Sequence, residues 1–197
     1  MLTFLAAVFF LIITPGPGVL TTAGVGAGFG FRAGARFLVG LFLGTNLVMV
    51  AVALGLTAIV FSIPELRWGL LIASVGYFLY LAARIAFAGA KIGFIESERA
   101  PGLVNGILLQ VINPKAYSVN SLLIAGYPFW PNDLAIEIVL KILLMNVVWI
   151  PVHIAWLTAG VTLRRMELAP GTQRAINMAM AASLVIVVLL AAFSTPA

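Results

Sequence analysis

Long uncharged apolar blocks dominate this chain, and short polar stretches between them hold most of its ionisable side chains. The blocks cover residues 2–23, 37–62, 68–90, 102–126, 134–163 and 175–193. A helix crosses a bilayer with roughly 20 apolar residues. The pattern therefore predicts an all-α integral membrane protein with six transmembrane helices, in a single transmembrane domain covering residues 1–197. They divide into two three-helix halves, about 1–90 and about 102–197, and an odd number of spans per half forces the second to sit inverted. The lead block of each half is interrupted, by Pro15-Gly16-Pro17-Gly18 in the first and Asn113-Pro114-Lys115 in the fourth. Proline removes a backbone donor and clashes with the preceding turn, and glycine loosens the chain further. Helices one and four are therefore expected to be broken.

Basic residues sort by loop. Arg32, Arg36, Arg84, Lys91, Arg99, Arg164, Arg165 and Arg174 fall at or in odd-numbered loops, against Arg67 and Lys141 at even-numbered ones or helix starts. The positive-inside rule makes the odd loops cytoplasmic and puts both termini outside. Trp68, Tyr127 and Trp130 sit at span ends as interfacial anchors. Block one lacks a basic n-region, and the Pro-Gly cluster stands where a cleavage site would be, so it is expected to stay in the mature chain.

Composition sharpens this picture. The chain is 63% hydrophobic and 9% charged, whereas soluble domains run near half and about a quarter. A globule of this length could not hide so much apolar surface from water. Disordered, collagen-like and nucleic-acid-binding classes are excluded. The net charge of +5 belongs to cytoplasmic loops, with the lipid bilayer and no nucleic acid as partner. The absence of cysteine removes disulfides, thiolate metal sites and thiol relays. Glu65, Glu96, Glu98, Asp133, Glu137 and Glu167 all fall at loops or span ends, so no carboxylate is expected in the hydrophobic core. Glu137 and Lys141, spaced i and i+4, read as a solvated surface pair. No Ser-His-Asp set, metal-spaced cluster or phosphate loop is present, which argues against an enzyme, a catalytic residue, a metal site or a cofactor.

The paired breaks carry the candidate chemistry. Irregular backbone at membrane depth is tolerable only inside protein or against a wet cavity, and matched interruptions in two halves point to a transporter site. Broken helices offer free N–H groups to an anion and free carbonyls to a cation; an amino acid carries both charges. Pro15, Gly16, Pro17, Gly18, Asn113, Pro114 and Lys115 are the candidate substrate-binding residues, the alternative being two simple proline kinks. Lys115 lies near midplane, where an ionisable residue is a functional candidate. It could hold a substrate carboxylate or pair with carbonyls freed at Asn113; snorkelling is the weaker account. Thr45, Asn46, Asn146 and His153 are candidates for polar lining or a proton relay, with Gln110, Asn120 and Asn177 as further intramembrane polar residues. Asn146, Trp149 and His153 share one helical face, and Pro151 offers another kink. His153 could relay protons or simply be a neutral histidine bonded between helices. Gly24 with Gly28, Gly26 with Gly30, Gly30 with Gly34, Gly40 with Gly44, and Gly102 with Gly106 have the spacing of close helix contacts.

Several of these stretches resemble the LysE/RhtB-type amino-acid exporter family. Thr14-Pro15-Gly16-Pro17-Gly18 is similar to its N-terminal PGPN motif, and Gly40 to Leu56 to its second span. The segment from Gly76 through Tyr80 to Arg84 resembles its third span, and Gly106 through Asn113-Pro114-Lys115-Ala116 its most specific signature. The resemblance implies a six-span inner-membrane exporter of amino acids or similar metabolites, driven by the proton-motive force. Gly18 replaces the motif's asparagine, and Thr45 then Asn46 stand where the second span often carries an aspartate. That departure favours a neutral zwitterion over lysine or arginine. A homo-oligomer is compatible with these features. A cation or metal exporter of a related family is the alternative transporter, disfavoured by the lack of core carboxylates and thiols. A non-transporting membrane scaffold is the alternative from another class.

Overall fold

A computed structural model describes residues 1–56, 62–86, 100–166 and 168–193. Among them the chain is all-helical: α1 Leu2–Ile13, α2 Pro17–Phe29, α3 Phe31–Ala53, α4 Pro64–Ala86, α5 Leu103–Val111, α6 Pro114–Ala125, α7 Leu134–Arg165 and α8 Pro170–Phe193.

Local chemistry sets most of these boundaries. Thr14 closes α1, its Oγ1 donating to Phe10 O at 2.6 Å. Extended Gly16 and Pro17 at the first position then start α2 at 50° to α1, using the position where proline's missing N–H has no helical partner anyway. The second break repeats the device. Asn113 caps α6 by accepting from Lys115 N at 3.1 Å, and Pro114 opens the helix. Asp133 starts α7 by accepting from Ile136 N at 3.0 Å, and α7 continues through Pro151 without interruption.

Two expectations need correction. Arg32 and Arg36 are not in a loop: α2 runs on to Phe29, and both arginines lie exposed in the first turns of α3. Gly30 alone joins the helices at φ +83°, a conformation open to glycine and strained for other residues. Glu137 and Lys141 are not solvated either; each keeps only about 4% of its surface exposed. Lys141 Nζ lies 3.1 Å from Glu137 Oε1 and donates to Ile124 O at 2.9 Å and Gly126 O at 2.7 Å. Glu137 also accepts from Phe129 N at 3.0 Å. The bare carbonyls ending α6 and the chain turning through Phe129 enclose the pair, so one carboxylate is buried, in the first turn of α7 at its span end. The expected span portions 57–61 and 87–90 lie outside the described residues, as do Lys91, Glu96, Glu98, Arg99 and Glu167.

Helices α3 and α7 are each long and apolar enough to cross a membrane, and α1 with α2 passes as one bent span. Their surfaces are apolar outside and partly polar inside. On α7, Val139, Leu143, Val147, Ile150 and Ile154 form an exposed stripe, while Lys141, Met145, Trp149, His153 and Leu157 are buried. On α3, Val39, Leu43, Leu47 and Val50 are exposed opposite buried Phe37, Leu41, Thr45 and Val48. Stripes of this kind need an apolar covering, as membrane-inserted helices have.

Helix contacts run between the halves. The most extensive is α3 on α5, followed by α2 on α7 and α4 on α8, with α1 also against α7 and α6 against α3. Small residues permit this approach. A Cβ on Gly40 would stand 2.0 Å from Leu103 O, one on Gly106 2.4 Å from Phe37 O, and one on Gly160 2.0 Å from Ala23 O. Gly102, by contrast, faces open space. From Pro17 to Ala27 every residue of α2 is buried, which makes α2 the central helix.

Candidate functional site

The two helix breaks meet. A break leaves backbone carbonyls without helical partners, and Lys115 Nζ donates to one of them, Thr14 O, at 2.6 Å. The lysine thus ties the second break to the first and not to its own, where Asn113 O already accepts from Ala116 N. Gly16 makes this possible, since a Cβ there would lie 2.9 Å from Lys115 Cδ and 3.0 Å from Nζ. Gly18, two residues further along, is less crowded: its Cβ position is 3.5 Å from Gln110 Oε1 and 3.8 Å from His153 Nε2, ordinary contact distances.

Around this junction lies a cavity of about 70 Å³. Of the candidate residues, Gly16, Pro17, Gly18, Thr45, Asn113, Lys115 and His153 line it. Pro15 and Pro114 shape the breaks without lining the space. Asn46 and Asn146 are also elsewhere: each amide donates to the other, at 3.2 and 2.8 Å, so the pair ties α3 to α7.

Gln110, Asn120 and Trp149 also line the cavity, though they were not among the candidate site residues. Gln110, 5% exposed, accepts from Asn113 Nδ2 at 2.8 Å and donates to Thr45 Oγ1, so it fixes both polar groups at once. Its place one turn before Asn113, on the same face of the broken segment, was the available signal. Asn120 is 3% exposed and its Nδ2 has no hydrogen-bond partner. Trp149 forms one wall, with its ring stacked on His153 at 3.6 Å between centroids and 15° between planes. His153 Nδ1 lies 3.0 Å from Trp149 O. A carbonyl can only accept, so Nδ1 carries the proton and a neutral ring leaves Nε2 as an acceptor.

Lys115 is the cation of this cavity, and no carboxylate is among the lining residues. Among the described residues no group of three His, Cys, Asp or Glu converges as a metal site would require. The arrangement can accommodate a small polar molecule, with ammonium donors on one side and an aromatic wall on the other. Comparison with protein-family models, curated proteins and solved structures finds no match.

Proposed function

We propose that this chain is a secondary transporter that exports a small neutral amino acid, or a similar zwitterionic metabolite, across the cytoplasmic membrane under the proton-motive force. The observation that carries the reading is the junction of the two helix breaks, bridged by Lys115 and Thr14 O, over a cavity lined in part by polar side chains. A half-buried lysine held by a single carbonyl keeps two N–H donors for a substrate carboxylate. Contacts of α1 and α2 with α7, and of α5 and α6 with α3, support six spans in two inverted halves, because each contact has a counterpart in the other half. Rocking of one half against the other around a fixed site would then give alternating access. The resemblance to LysE/RhtB-type exporters supplies the outward direction. A cation or metal cargo is less well served: Glu137, the buried carboxylate among the described residues, is already committed to Lys141.

The test is efflux from proteoliposomes loaded with a mixed amino-acid panel, with and without an imposed proton gradient. Gradient-dependent loss of one or two neutral amino acids is expected, and Lys115→Ala should abolish it while leaving membrane insertion intact. No efflux above empty liposomes would refute amino-acid export, and unchanged transport by Lys115→Ala would remove that residue from the site.

A further inference from the structure

The cavity takes a carboxylate readily, through Lys115, but lacks a carboxylate of its own to receive an ammonium group. Resting on the transport reading above, we infer that His153 supplies the missing acceptor: its Nε2 receives a hydrogen bond from the substrate's ammonium while Lys115 holds the carboxylate. Three observations converge on this assignment. The Nδ1 contact with Trp149 O fixes the tautomer, so the acceptor nitrogen is Nε2 and not Nδ1. That nitrogen has no protein partner among the described residues, although His153 is only 5% exposed and lines the cavity. An acceptor that faces the cavity without a protein partner is available to a ligand's donor. Finally, stacking on Trp149 holds the ring in one orientation, with Nε2 3.8 Å from the Cβ position of Gly18 and so bordering the first helix break.

Lys115 borders Gly16 and His153 borders Gly18, so the donor and the acceptor face the same short stretch of broken helix. A zwitterion with a small side chain presents its two charges to these two groups. The neutral imidazole can receive the ammonium's hydrogen bond without placing a second full charge in the cavity. Selection for an α-amino acid over a simple carboxylate therefore depends on His153.

Equilibrium binding to the purified full chain in detergent, with L-alanine and propionate as probes, tests this. Propionate keeps the carboxylate and the short side chain but has no ammonium. The wild type should bind L-alanine more tightly than propionate. His153→Phe keeps an aromatic ring against Trp149 and removes the acceptor, so it should weaken L-alanine binding by about tenfold or more and leave propionate unchanged. His153→Gln, which retains an acceptor, should recover some of the preference. Equal binding of both probes by the wild type, or an equal loss of both in His153→Phe, would overturn the assignment while leaving carboxylate transport standing. Binding of neither probe by the wild type would overturn the amino-acid reading and this assignment with it.

Discussion

Gly40 on α3 offers a direct test of how closely the two halves approach. A methyl group at this position would stand 2.0 Å from Leu103 O, whereas real Cβ atoms essentially never come within 3.0 Å of such a neighbour. The obstacle is backbone of α5, so no side-chain rotation can relieve it and the two helices must separate by about an ångström; gaps of that order forfeit a quarter to a half of each dispersion contact. Nor can the seam pivot, because Gly106 brings α5 equally close to Phe37 O and Leu41 N. Overpacking of this kind destabilises by about 1–3 kcal/mol. It would outweigh the gain of about 0.8–1 kcal/mol that alanine enjoys over glycine within a helix. Gly76 on α4, with nothing within 4 Å, provides the opposite case, and Gly76→Ala should be neutral or stabilising by about that gain. Reversible unfolding in mixed micelles, followed by circular dichroism, measures both. Because α3 carries Thr45 and α5 carries Gln110, whose side chains bond across the same seam, Gly40→Ala should also weaken ligand binding. If Gly40→Ala proved as stable as Gly76→Ala, the close α3–α5 contact would be wrong and the cavity geometry with it.

Lys141→Met should lower unfolding stability, since it leaves Glu137 and two helix-end carbonyls buried without their cation, and adding Glu137→Gln should recover some of the loss. A single variant with no effect would mark the pair as a dispensable exposed contact. The absence of native cysteine lets Leu134→Cys and Arg165→Cys report on the two ends of α7. In intact cells an impermeant maleimide should label only Leu134→Cys, and labelling of Arg165→Cys instead would reverse the orientation.

Elements governed by chemistry within one turn were legible in the chain. Both helix breaks fall at Pro15 to Gly18 and Asn113 to Lys115, because proline cannot donate and an asparagine side chain can cap the turn that follows. Helix α7 likewise begins at Leu134, directly after its Asp133 cap. Periodicity does not reveal where partners far apart in sequence meet. Lys115 found a carbonyl at Thr14, in the other half, and Asn46 found Asn146 one hundred positions away. The depth of Glu137 and Lys141 depended on how α6 ends and where the following segment lies, which i, i+4 spacing cannot encode. Residue types told which backbone groups would be left unpaired and which side chains were expensive to bury. Only the tertiary structure decided what satisfied them, because a hydrogen bond between distant groups exists once helix contacts have brought donor and acceptor within about 3 Å.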